Sequence, residues 1–238
     1  MWTGRWAVSS AERTNALGQP VGAPVEGSFP LPRPPRAAMA GRHVTVAPLD
    51  VAAHGPALWQ TFAAAADPRD WTYLPYGPFD GEQGFLSWLG TCTGDDPLFH
   101  TLIDAEGPAG LASYLRIDPK AGSIEVGHIH MGPRLQRSPA STEAMALMMG
   151  RAFDLGYRRY EWKCDALNAR SCRAAERLGF TYEGIFRQAT HYKGRNRDTA
   201  WFAAIDAEWP ALKARFDRWL DPANFDAEGR QRAALGAA

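Results

Sequence analysis

The sequence is poor in cysteine and has no excess of either charge. Its three cysteines, Cys92, Cys164 and Cys172, are odd in number and lack metal-ligand spacing. That argues against a disulfide framework or a metal site and for reduced thiols in a cytoplasmic protein. The 26 Lys and Arg balance the 26 Asp and Glu. No global basic field therefore points to nucleic acid, and the aromatics are not interleaved with basic residues. No apolar run approaches the roughly 20 residues of a membrane span, so no membrane is expected as a partner. The N-terminal MWTGRWAVSS lacks the apolar centre of a signal peptide, and no internal repeat is present. What remains is an ordinary folded composition, 45% hydrophobic and 22% charged over 238 residues, enough for one large domain or two small ones.

Residues 1–40 form a Pro/Gly-rich N-terminal extension that cannot make a long helix or a central strand. It reads as a disordered arm or an extended strap, and Trp2, Trp6 and Phe29 favour partial docking. The domain is expected over 41–220, followed by a polar, Ala-rich tail, 221–238, whose composition allows a helix. Within the domain, His43–Leu49 reads as a strand and Val51–Ala66 as a helix stopped by Asp67-Pro68. An aromatic loop, Trp71 to Phe79, leads to a second helix, Gly81–Gly90. Leu98–Asp104 and Ala109–Ile117 form a hairpin across Glu106-Gly107-Pro108.

The central stretch runs from Gly122 to Phe153. Its strand, Ser123–Met131, turns through Gly132-Pro133 and Gln136 to Pro139 into a helix opening near Ser138, with Met145, Met148, Met149, Ala152 and Phe153 on one face. A strand that delivers the chain into a helix N-terminus makes an anion site, because first-turn N–H groups lack partners and the dipole is positive there. A strand over Tyr157–Cys164 follows, then a short helix capped by Asn168 and stopped by Gly179. Phe180–Tyr192 and Asp198–Ile205 form a hairpin across the basic Lys193–Arg197 turn, and a last helix spans Asp206–Leu220. The order predicts a mixed α/β (α+β) fold with an antiparallel front half and a strand–helix–strand unit behind it.

Three groups of residues carry a resemblance: Ile124-Glu125-Val126-Gly127-His128 on the central strand, Ser141-Thr142-Glu143-Ala144 opening the helix, and Asn168, Ser171, Ala175 and Leu178-Gly179-Phe180. Over roughly residues 41–205 the chain resembles the GNAT superfamily of acyl-CoA-dependent N-acyltransferases, and most closely the branch of RimJ/RimL ribosomal-protein N-acetyltransferases. The resemblance implies a GNAT-like fold, a mostly antiparallel central sheet with a splayed central strand pair, flanked by helices. It also implies acetyl-CoA as co-substrate without a metal, and direct acetyl transfer to a primary amine, either a protein N-terminus or a small molecule. A larger acyl donor, and a monomer or a homodimer, stay open.

The family's pyrophosphate loop has the form Gln/Arg-x-x-Gly-x-Gly/Ala, against Gln136-Arg137-Ser138-Pro139-Ala140-Ser141 here. Pro139 lacks an N–H, yet Ser138-Pro139 is a good N-cap and first-turn pair. The amides of Ala140, Ser141 and Thr142, the hydroxyls of Ser138, Ser141 and Thr142, and the charge of Arg137 are expected to hold phosphate, with Gln136 in the matching first position. The resemblance further assigns the backbone of Ile129, His130 and Met131 to pantetheine, Asn168 to its arm, and Trp71, Tyr73 and Tyr76 to the acceptor pocket.

For the chemistry, Glu125 is the leading general base, through a water; its bland alternative is a strand-end salt bridge. His128 and His130 are alternative bases, but strict alternation puts them opposite Glu125 unless Gly127 marks a bulge. Ser171 resembles the serine that protonates the CoA thiolate; the commoner use is a first-turn hydroxyl bonding the backbone. The altered loop keeps a second reading alive, a GNAT-fold CoA-binding or non-catalytic interaction protein.

Overall fold

The computed structural model describes residues 13–65 and 67–236; Trp2 and Trp6 lie outside them. Its order is β1 (Arg13–Thr14), β2 (Pro20–Val21), β3 (Met39–Ala40), β4 (Thr45–Pro48), α1 (Val51–Ala65), α2 (Gly81–Gly90), β5 (Leu98–Asp104), β6 (Gly107–Asp118), β7 (Ser123–Met131), α3 (Pro139–Asp154), β8 (Arg159–Asp165), α4 (Ala169–Leu178), β9 (Thr181–Tyr192), β10 (Arg195–Ile205) and α5 (Trp209–Leu220). β1 and β2 make a small exposed ribbon. The other eight strands form one sheet, ordered β3-β4-β5-β6-β7-β8-β10-β9. Every neighbouring pair is antiparallel except β7–β8. The mixed α/β architecture is the expected one.

The strand period of two divides the core between the two faces of the sheet. Leu98 and Leu102 of β5, Ala112 and Tyr114 of β6, and Ile124 and Val126 of β7 join Met145, Met148 and Met149 of α3 and Phe216 of α5 in one cluster. Phe99 and Leu111 face the other way and meet Leu58 and Phe62 of α1 and Phe85 and Leu89 of α2. α3 starts as its sequence dictates. Ser138 is its N-cap, accepting from the Ser141 amide at 3.2 Å, and Pro139 occupies the first turn. α4 is capped by Asn168 and ends at Gly179, whose φ of 97° suits only glycine comfortably.

Residues 29–40 lie along the domain as a strap. The Leu31 amide donates to the Pro119 carbonyl, and the Tyr157 hydroxyl to Pro32. Arg36 grips the Asp95 carboxylate and the carbonyls of Thr93 and Gly94, and Arg151 donates to the carbonyls of Ala37 and Ala38. The strap ends in β3, with Met39 buried. After α5 the chain forms one short 3-10 helix, Pro222–Asn224, and a Phe225–Gln231 bridge rather than a longer helix. There Phe225 meets Trp219 edge-on and Leu235 is buried.

Candidate active site

β7 and β8 run in parallel register only from Ser123–Arg159 to Val126–Trp162. β7 continues to Met131 and β8 to Asp165 without pairing to each other, so the two strands part into a fork. On its other side β7 slips against β6, from Ser113–Gly127 to Leu111–His130, and His128 takes a left-handed φ of 51°. This is a β-bulge. Gly127 flagged it in the sequence, and its consequence is a change of parity. Glu125, His128 and His130 now share one face instead of alternating, as their neighbours show: Leu115 and Glu125 beside Gly127, and the rings of Phe99 and Phe62 against the two histidines.

Glu125 is 4% exposed. Its register neighbour on β8 is Glu161, so two carboxylates stand side by side. The buried Lys163 ammonium resolves that repulsion, 3.0 Å from Glu125 and 2.8 Å from Glu161, and it lies 3.6 Å from the centre of the Trp201 ring. Arg116 approaches Glu125 from the exposed side at 3.2 Å. Burial raises the Glu125 carboxyl above the usual range, with Lys163 and Arg116 pulling against it. Burial also pushes Glu161 up, but Arg159 and Lys163 outweigh it and hold that group low. The salt bridge considered from sequence is therefore present, as a buried charge network rather than a strand-end pair. Lys163 and Glu161 were invisible as partners in the sequence, because only the strand register sets them opposite Glu125.

The histidines are embedded in aromatic rings. His130 stacks on Trp71 at 4.1 Å and meets Phe62 edge-on, while His128 Nδ1 lies 3.1 Å from the Tyr76 hydroxyl. Burial pushes both imidazoles down to about 4, so both are neutral near pH 7 and poor proton acceptors. Of the aromatic loop, Trp71 is buried in the cluster under α1 and α2 and Tyr76 packs against Trp88. Tyr73 points instead to the start of α4, its hydroxyl donating to the Leu167 carbonyl.

The turn from β7 into α3 departs in detail from the sequence expectation. The Ser141 amide is not free, since it donates to Ser138, and the Ser138 and Ser141 hydroxyls donate to the carbonyls of Leu135 and Ser138. Thr142 Oγ1 accepts from Arg177. Gln136 is used as a brace, its amide donating to the Met131 carbonyl at 2.9 Å. The one left-handed residue of the turn is Arg137, at φ 59°. That is the backbone a loop glycine would supply. Arg134 is held by Asp104 at 2.9 Å. Glu143, one turn into α3, accepts the amides of Arg42, His43 and Val44, and a Cβ on Gly41 would strike its carboxylate. It is a structural tie between α3 and the turn from β3 to β4.

α4 delivers Asn168 and Ser171 to the fork's far wall. Asn168 Oδ1 accepts the Ser171 amide at 3.2 Å, as a cap should. The Ser171 hydroxyl does not bond back to the helix; its oxygen accepts from the Trp162 indole at 3.0 Å.

The sequence pattern of the acetyltransferase (GNAT) domain matches residues 45–181. The chain belongs to the GNAT acetyltransferase family. It shares 48% identity with a GCN5-related N-acetyltransferase from Brucella melitensis, over 87% of this chain and 95% of that one, with a TM-score of 0.85. A probable GNAT-family acetyltransferase from Chromobacterium violaceum ATCC 12472 is 39% identical over 81% of this chain and 98% of its own, with a TM-score of 0.76. The microcin C7 self-immunity acetyltransferase MccE, solved in complex with acetyl-CoA and AMP, shares the fold alone, at 19% identity and a TM-score of 0.62 over 69% of this chain and 93% of its own. No protein of curated function matches.

The GNAT chain is thus an acyltransferase enzyme, and its fold indicates acetyl transfer from acetyl-CoA. Beside the end of β8 and the start of α4 the GNAT domain opens a cavity of ≈ 330 Å³, lined by Tyr73, Asp165, Tyr192, Lys193, Arg195 and others. Asp165 accepts from the Tyr192 hydroxyl at 2.8 Å and from the Leu167 amide, and the Lys193 ammonium donates to the Trp71 carbonyl. Tyr192 and Asp165 were not singled out in the sequence. They lie on different elements and carry no motif. Among the described residues, no helix is long and apolar enough to cross a membrane, and no three His, Cys, Asp or Glu cluster as metal ligands.

Proposed function

We propose that this GNAT acetyltransferase moves the acetyl group of acetyl-CoA directly onto a primary amine, a protein N-terminus or a small-molecule amine, in the manner of the RimJ/RimL branch. The observation that carries the reading is the fork. Its β7 edge from Ile129 to Met131, unpaired on the β8 side, offers backbone groups to a pantetheine arm apart from the Met131 carbonyl that Gln136 holds, and the α3 N-terminus lies where that edge ends. Pro139 has no N–H and the Ser141 amide is engaged, so the Ala140 amide and the Arg137 guanidinium are the groups best suited to pyrophosphate.

Glu125 is the base in this reading. The attacking amine must be neutral, and its ammonium form has a pKa of about 8 for an α-amine. A buried carboxylate with a raised pKa takes a proton from it through water more readily than an exposed one does. Ser171 is the acid: an oxygen that accepts from Trp162 keeps its own proton to give to the leaving thiolate. Tyr73 and the cavity beside it receive the acceptor, and Lys193 and Arg195 favour an acceptor with a carboxylate.

Isothermal titration with acetyl-CoA, followed by turnover against a panel of amines and N-terminal peptides, tests the reading. Micromolar binding and amine-dependent release of CoA are expected. No binding at micromolar protein would sink it, and binding without transfer would favour the interaction-module alternative. Ser171→Ala is expected to lower kcat about tenfold to a hundredfold with CoA affinity nearly unchanged; an unaltered kcat would return Ser171 to the role of a helix-start residue.

A further inference from the structure

Two of the three cysteines meet where β8 turns into α4. The sulfurs of Cys164 and Cys172 are 3.6 Å apart, in contact and unbonded. Cys164 is buried near the end of β8, beyond its last pair with β7, its backbone in register with Ala200 of β10. Cys172 is half-buried on α4, directly after Ser171, and its amide donates to the carbonyl of the cap Asn168. Cys92 lies apart, in the cluster beneath α2, with its thiol on the Trp88 carbonyl.

We infer that Cys164 and Cys172 are a redox-active thiol pair, which closes to an intramolecular disulfide by exchange with a low-molecular-weight disulfide and slows acetyl transfer by shifting Ser171. The effect on transfer rests on the acid role proposed for Ser171; the thiol chemistry does not.

The order of events follows from exposure. Burial pushes the Cys164 thiol up to about 12, with the Ser171 hydroxyl pulling the other way, so Cys164 cannot begin the exchange. Cys172 loses its proton to solvent and its thiolate attacks one sulfur of the small disulfide. That S–S bond breaks, a mixed disulfide forms on Cys172, and one small thiolate leaves. Cys164 then gives up its proton and attacks the Cys172 sulfur, expelling the second small thiolate. Two protein thiols are oxidised, one small disulfide is reduced to two thiols, and the two protons end on the leaving thiolates.

A disulfide needs sulfurs about 2.05 Å apart, so the pair must close by ~1.5 Å. Cys164 is held on both backbone flanks of its position by the β8–β10 ladder, which runs from Arg159 to Asp165. The displacement therefore falls on α4, which is a separate short helix and carries both Ser171 and its cap. A shift of that kind at a proton donor is expensive for catalysis, since misplacement by about 1 Å costs up to ~100-fold.

The test uses the full chain, incubated with oxidised glutathione, quenched in acid, alkylated and read by peptide mass spectrometry. Alkylation is expected to fall from three thiols to one, Cys92, with a peptide pair joined through Cys164 and Cys172 and lighter by two hydrogens. Dithiothreitol should reverse it. The transfer rate should fall at least about tenfold on oxidation and recover on reduction. Cys172→Ser should keep the reduced rate and lose the response, and Cys164→Ser should stop at a glutathione adduct on Cys172. Three alkylatable thiols at equilibrium, or an adduct on Cys172 of the unsubstituted chain without the cross-link, would overturn the pair. A cross-link with an unchanged rate would overturn the coupling to Ser171. A chain that transfers nothing even when reduced would overturn the acid role and the coupling with it, while the thiol count still decides the pair.

Discussion

A single carboxylate carries the most chemistry. Glu125 is buried in the wall of the fork beside a second carboxylate and is kept tractable by Lys163. Its carboxyl is raised, so the working, ionised form is lost as pH falls through a value above that of an ordinary Glu. Glu125→Gln is expected to cut turnover by about 10²–10⁴ at neutral pH and to remove the acid limb of the pH–rate profile, with acetyl-CoA affinity retained by titration. An unchanged limb would assign it to another group. The histidines bear on stability instead. Burial pushes His100, His128 and His130 each down to about 4 from the ordinary 6.5. Their folded pKa lies below the unfolded value, so the stability they confer is full above about 6.5 and is lost as pH falls toward 4. The loss is on the order of several kcal/mol together. Thermal melts should decline across that window, and replacing His130 by Phe, which keeps the ring against Trp71 and removes the titration, should flatten the decline.

At the scale of elements, the strand–turn–helix from β7 into α3 combines legible and hidden parts. The helix start at Ser138-Pro139 was readable, because capping is local chemistry. The backbone of the turn was not, because nothing about Arg137 in sequence announces a positive φ. A non-glycine residue there costs about 1–2 kcal/mol. Arg137→Gly is therefore expected to raise stability by about 1 kcal/mol in denaturant titrations and, by deleting a charge at the phosphate end, to weaken acetyl-CoA binding several-fold by calorimetry. Tighter binding would show that Arg137 contributes only strain. The bulge at His128 is the second such case. Gly127 hinted at it, but only pairing with β6 decides which strand takes the extra residue.

For the molecule as a whole, the N-terminal strap is part of the domain's stability. A chain starting at residue 29 keeps the contacts of Leu31, Arg36 and β3. It is expected to melt close to the full chain. A chain starting at residue 41 loses β3 and uncovers the core around the buried Met39, and should be less stable by about 2–5 kcal/mol, the cost of emptying one such core site. Equal melting of the two would show that the strap carries no stability. The strap's alternatives, loose arm or docked segment, were both open in the sequence. Its tethers are single long-range contacts, such as Arg36 to Asp95, that leave no local pattern. By itself the sequence determined what is local or periodic: the strands from their alternation, the helices from their caps and apolar faces, the mixed α/β class from their order, and the family likeness from short motifs at α3 and α4. The tertiary structure alone decided what depends on register and on chain segments far apart. It set Glu161 and Lys163 beside Glu125, brought the histidines onto Glu125's face, and laid Cys172 against Cys164. The reason is physical: a strand's own residues specify which face each side chain takes, but the neighbour it meets is fixed by how strands and helices from elsewhere in the chain pack against it.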